Sequence, residues 1–127
     1  MNVKKIKSLL KKKYPGKKII VTDSKSSGEI IVEIEPTANH PERSLALAVV
    51  GKSKLHYHKK STEIYEAVKD ELTVYIEGKK HVLKEKGKVT IKPGQIHYAE
   101  GDEAWFLTHS RPGWTFEDHI LVFDKDG

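Results

Sequence analysis

The sequence contains no cysteine, which excludes a disulfide framework, a thiolate zinc site, a cysteine-held iron–sulfur cluster and a cysteine nucleophile. Any metal bound by side chains must therefore sit on His, Asp or Glu. Arginine is scarce: only Arg43 and Arg111 stand among 23 basic residues, whereas bidentate recognition of phosphate or guanine favours Arg. No run of about 18 apolar residues is available for a membrane span. Near the N-terminus there is neither the apolar stretch of a secretory signal nor the Arg and Ser enrichment of a transit peptide, so a cytoplasmic location is expected. At 127 residues the chain fits one domain at the usual scale of roughly 150 residues each, which disfavours separate cofactor and substrate modules.

Positive charge is present but unevenly spread. Residues 1–18 carry eight lysines and no acid, while the rest of the chain carries 15 basic and 18 acidic residues. The formal charge of +5 thus belongs to one end, and nucleic acid is disfavoured as a partner. Within that end, Val3, Ile6, Leu9 and Leu10 fall on one helical face until Pro15-Gly16 stops the pattern. Residues 1–16 read as a basic amphipathic helix whose apolar stripe packs on the body, with contact to an anionic surface as the alternative.

Residues 17–127 read as a single all-β domain. β-Branched runs are expected to form strands at 18–22, 29–35, 44–50, 54–58, 63–68, 72–77, 81–84, 88–91, 96–100, 105–109 and 119–123. The segment 23–28 has the composition of a turn or mobile loop, and Gly, Pro and Asp punctuate the other runs, among them Asp70, Pro93-Gly94 and Gly101-Asp102. Short strands at about 8 to 12 residue spacing predict an antiparallel sandwich or barrel.

His56 and His58 stand two apart in an expected strand, so both side chains leave one face, separated by roughly 6 to 7 Å of strand rise. They can share one ion, with Glu63 returning on the next strand as a third ligand. Solvated or hydrogen-bonded histidines are the alternative. Downstream, 91–97 reads as strand, tight turn, strand, which returns His97 to the same wall. Tyr65 shares the face of Glu63, and Lys54 that of the two histidines. Tyr65 is a candidate catalytic contact or a core residue, and Lys54 a candidate holder of an anionic substrate or a solvated surface group. Trp105, Leu107 and His109 share one face of their strand, which makes His109 a candidate general base or an ordinary structural histidine. His40, His81 and His119 lack ligand spacing and read as structural or exposed. The stretch 111–118, with Trp114 and Phe116, caps the barrel or meets another subunit.

His56-x-His58, four further residues, Glu63, and then Pro93-Gly94-x-x-His97 resemble the paired motifs of the cupin superfamily. The likeness covers about residues 44–123. Gly51 lies one position nearer His56 than the family's glycine, Asp70 stands where a glycine closes the turn, and Lys92-Pro93-Gly94 replaces the usual Pro-x-Gly. Asp tolerates left-handed turn geometry, so a connection at Asp70-Glu71 remains available.

The resemblance implies a double-stranded β-helix, a jelly-roll barrel, carrying one divalent transition metal on His56, His58, Glu63 and His97. Three imidazoles and a carboxylate suit Fe, Mn, Ni, Co, Cu or Zn rather than Ca or Mg. It also implies a homodimer, in line with the sheet edges such a barrel exposes. The expected function is metal-dependent chemistry on a small oxygen-rich molecule, a sugar, hydroxy-acid or enediol. Isomerisation, epimerisation and oxidative cleavage all remain open, with Tyr65 and His109 as catalytic candidates. A non-catalytic metal-containing sensor and a closed structural zinc site are the competing expectations.

Overall fold

Alternation of apolar and polar residues builds ten strands among the described residues, after one N-terminal helix. The computed structural model describes residues 1–22 and 28–122; most of the expected 23–28 loop and Phe123 of the last expected strand lie outside them. The elements are α1 (Val3–Lys13), β1 (Ile19–Thr22), β2 (Glu29–Glu35), β3 (Ser44–Lys52), β4 (His56–His58), β5 (Thr62–Lys69), β6 (Leu72–Ile76), β7 (Lys79–Leu83), β8 (Lys88–Ile91), β9 (His97–Arg111) and β10 (His119–Leu121). Every ladder is antiparallel. No helix is long and apolar enough to cross a membrane.

Two layers share one strand. The C-terminal part of β9 pairs with β3 and β5, giving the order β1-β2-β3-β9-β5-β8, while its first residues pair with β6 and β4, giving β7-β6-β9-β4-β10. The expectation of two strands at 96–100 and 105–109 with a turn between them is corrected here: Gly101-Asp102 lies inside a continuous 15-residue strand. The ladder to β3 jumps from Val50↔Ala104 to Lys52↔Glu100, and Glu103 adopts φ 55°. These are the marks of a bulge that turns one strand from the first layer into the second. Glycine is needed at the corner, since a Cβ at Gly101 would stand 2.6 Å from that of Ala104.

The core lies between the layers, where Tyr65, Ala67, Ile91 and Phe106 face Leu72, Val74, Ile76 and Ala99. A second apolar cluster covers the outer face of the first layer. There α1 buries Ile6 and Leu10 against Ile30 and Val32 of β2 and Leu47 and Val49 of β3. The helix therefore packs on the body, and Leu10, fully buried, contributes roughly 2 to 3 kcal/mol by area. Asn2 caps its first turn by accepting the Lys5 amide. Asp70 joins β5 to β6 with φ 66°, the left-handed geometry anticipated for it.

Candidate metal centre

β4 is only three residues long, but its alternation turns His56 and His58 inward together. His97 opens β9 directly opposite His56 in the ladder, and Glu63, second residue of β5, faces Ile91 and Ser110 across its two ladders. The second layer thus supplies three imidazoles and the first layer the carboxylate. All four residues are buried, and one ligand atom from each lies within 4.8 Å of the other three. The four residues expected to hold a metal are therefore brought together.

Hydrogen bonds fix which atoms face the centre. His56 Nδ1 donates to the Lys54 carbonyl at 2.7 Å and His97 Nδ1 to the Gln95 carbonyl at 2.9 Å. A carbonyl can only accept, so in each neutral ring the bare nitrogen is Nε2. Ser110 Oγ donates to Glu63 Oε2 at 3.1 Å, leaving Oε1 toward the histidines. His58 Nε2 stands 3.0 Å and His97 Nε2 3.5 Å from that oxygen, yet neither contact has hydrogen-bond geometry. Both nitrogens of His58, Nε2 of His97 and Oε1 of Glu63 are buried polar atoms without a hydrogen-bond partner. Such orphans cost about 1 to 3 kcal/mol each, and a shared cation satisfies those that converge here. The donor set fits a divalent transition metal.

The surroundings hold the cluster in register. Gly94, at φ 84°, donates its amide to the His58 carbonyl at 2.7 Å. The connection from His58 to Glu63 is pinned by Asp118, whose carboxylate accepts the Lys60 and Ser61 amides at 2.9 and 3.0 Å. Burial alone raises Asp118, but those amides outweigh it and hold the carboxyl below its usual range. Burial likewise opposes ionisation of Glu63, and the adjacent His58 and His97 more than offset it, keeping the group well below the ordinary carboxylate range. Burial, then His97 and His119, lower His56 to about 3, which leaves its ring neutral and ready to ligate.

His56, His58 and Glu63 line the inner end of a cavity of about 80 Å³. Tyr65 lines it, packed on Phe106 with ring centroids 4.8 Å apart. Trp114 also lines it, its amide donating to Ser44 Oγ and its carbonyl accepting from Thr37 Oγ1. Of the stretch 111–118, Trp114 packs at the cavity while Phe116 is exposed. Two expected site residues lie elsewhere. His109 faces outward and meets Glu66 Oε1 at 3.2 Å, because the inward positions of β9 are Thr108 and Ser110. Lys54 precedes β4 rather than extending it, so alternation does not reach it; its side chain is exposed and only its carbonyl serves the site.

Sequence reasoning missed several residues of the cavity. His119 stacks on His56 at 4.2 Å and 12°, placed by its ladder partner His58. Trp114 Nε1 donates to His119 Nδ1 at 3.2 Å, so the neutral ring carries its proton on Nε2. Burial, then His58, lower His119 to about 4. Ser110 and Glu29 were equally unmarked. Glu29 enters the cavity wall from β2, where loss of solvent and then the charge of Glu63 raise its carboxyl to about 7. Only the inward alternation of β2 and of the second half of β9 could have pointed to them.

A two-layer antiparallel barrel with three inward histidines and one glutamate defines the cupin architecture, and this chain has the fold of a small single-domain cupin. Solved structures of that fold superpose closely. A Streptomyces PAC13 structure with uridine matches at TM-score 0.73 and 12% identity over 86% of each chain; Pac13 is a nucleoside dehydratase. The cupin-2 domain protein Rru_A2000 of Rhodospirillum rubrum matches at TM-score 0.72 and 16% identity over 89% of this chain and 80% of its own. Oxalate decarboxylase OxdC of Bacillus subtilis matches at TM-score 0.67 and 15% identity, over 86% of this chain and 31% of the enzyme. No family model and no curated protein matches the sequence.

The shifted groups make the metal-free protein acid-sensitive. His56 and His119 refuse protons in the fold that they accept when unfolded, so stability present above pH about 6.5 is lost as pH falls toward 4 and then 3. Each contributes up to about 1.4 kcal/mol per pH unit in that window. Glu63 loses its contribution in the same direction below about 4.5. Glu29 acts oppositely: its contribution is present below about 4.5 and disappears as pH rises through about 7. Two histidines outweigh one carboxyl, so after chelation the urea midpoint should fall from pH 7 to pH 4, most steeply below 4.5. A midpoint that is flat or rises on acidification contradicts these shifts.

Proposed function

We propose that the chain is a metal-dependent enzyme acting on a small oxygen-rich molecule, a sugar, hydroxy-acid or enediol. Isomerisation or epimerisation is the expected chemistry, with oxidative cleavage when the ion is redox-active. The observation that carries this reading is the convergence of unsatisfied buried ligand atoms from His58, Glu63 and His97, beside His56, at the floor of an open cavity. A closed structural site has no use for such a chamber. Fe, Mn, Ni, Co, Cu and Zn all suit the donors, and His56, His58, Glu63 and His97 would hold the ion facing the cavity. When bound, the ion supplies a Lewis acid that stabilises developing negative charge on a substrate oxygen.

The chain's own residues then have separate tasks. Burial, then Glu63 and Glu29, push the Tyr65 hydroxyl far above its usual range, so it keeps its proton and donates. His119, stacked on His56, carries an N–H on Nε2. Glu29, raised to about 7, is the wall group suited to accept and return a proton near neutral pH. His109, outside the cavity, has no part. The fold itself does not choose among reactions, since a nucleoside dehydratase and an oxalate decarboxylase share it.

Elemental analysis of the purified protein should find close to one transition metal per chain, reduced to background in His56→Ala and His97→Ala. A turnover screen of metal-loaded protein against sugars and enediols should find an activity lost with the metal. Metal retained by both variants would end the proposal; tight ligand binding without turnover would assign the same site to a sensor.

A further inference from the structure

The inner face of β2 has a charge pattern the metal centre does not explain. Alternation points Glu29, Ile31, Glu33 and Glu35 into the same cavity, while Ile30 and Val32 pack outward against α1. Glu35 is neutralised at the mouth by Arg43, 2.7 Å away. Glu29 and Glu33 have no ion pair among the described residues, and no described lysine or arginine lines the cavity. With a divalent ion on three neutral imidazoles and Glu63, the centre carries one net positive charge. Above about pH 7, where Glu29 is ionised, the two β2 carboxylates outweigh it.

We propose that Glu29 and Glu33 make the cavity an anion-excluding chamber, so that the molecule it takes is an uncharged or amine-bearing polyol rather than an organic acid. This inference rests on the metal-centre reading and narrows its substrate class: the hydroxy-acid is removed, and the sugar is kept. A substrate carboxylate entering the cavity meets like charge on the β2 wall. Hydroxyl or ammonium donors instead give the two glutamates hydrogen-bond partners, of which neither has one among the described residues. The raised carboxyl of Glu29 agrees with an enclosed wall already carrying negative charge. On the sequence Glu29 and Glu33 look like solvent-facing positions of a strand that opens on a polar loop. The pairing of β2 between β1 and β3, with α1 laid over the other face, turns them inward.

The test uses cobalt-loaded full-length protein at pH 7.5, with the visible spectrum of the ion as reporter and oxalate and imidazole as anionic and neutral probes. Wild type is expected to take up one Co²⁺ and to bind imidazole. In the double variant Glu29→Gln/Glu33→Gln, oxalate should bind at least tenfold more tightly than in wild type, with imidazole affinity and cobalt stoichiometry changed less than about twofold. Equal oxalate affinity in the two proteins overturns the inference and leaves the metal centre standing. Failure of wild type to take up cobalt, or to bind either probe once loaded, overturns both. The single variants Glu29→Gln and Glu33→Gln should each give part of the gain, which separates a field effect from a rearranged site.

Discussion

Glu63→Gln should lower affinity for a divalent transition metal by at least about a hundredfold, since loss of a mere supporting partner of a ligand already costs about 10 to 100-fold. The effect is largest here because Glu63 is the only anionic member of the cluster and the only one contributed by the first layer. In wild type, metal at 100 times its dissociation constant stabilises the fold by about 2.7 kcal/mol. That corresponds to roughly 10 °C for a domain of this size. At the same metal concentration the variant sits near its own dissociation constant, where the gain is only about 0.4 kcal/mol. Differential scanning calorimetry with and without metal reads both numbers. Ser110→Ala, which frees only Oε2, should fall between the two proteins. Equal metal-induced shifts in wild type and Glu63→Gln would rule out the carboxylate as a ligand.

Phe106→Ala should cost about 3 to 5 kcal/mol of stability, the largest single loss expected from the core. Phe106 is fully buried between the layers. Its ring also supports Tyr65, which borders both Phe106 and His97. The cavity left behind lets Tyr65 fall away from the site, so ligand binding should weaken even where the protein remains folded. Phe106→Leu keeps most of the volume and should cost less than half as much. Urea unfolding measures the first effect, and ligand titration at low temperature the second. A cost below about 1 kcal/mol for the alanine variant would mean that the layers close without this side chain.

Much of the fold was legible because side-chain alternation is local. Glu29–Glu35 and Lys88–Ile91 have the bounds their patterns predict, α1 lies within the expected 1–16, and Asp70 turns as its chemistry allows. The long β9 was not legible. Gly101-Asp102 has the composition of a turn, and only the pairing of its flanks with different strands shows a bulge instead. Lys54 was misplaced for a related reason: alternation carries a side chain's direction only as far as the strand runs, and β4 begins at His56. At His109 the shared face with Trp105 and Leu107 was correct. That face turned out to be the outer one, against which α1 is laid.

The sequence by itself determined the ligand types, the shared direction of His56 and His58, and the motif spacing that marks Glu63 and His97. The first two follow from chemistry and from the two-residue period of a strand, and the last from the resemblance to the cupin motifs. Tertiary structure decided everything that depends on pairings far apart in the chain. It set Ser110 against Glu63, stacked His119 on His56 and turned Glu29 and Glu33 inward. Ladder register and the covering helix select one face of a strand as interior, and a one-residue slip would have exchanged the faces.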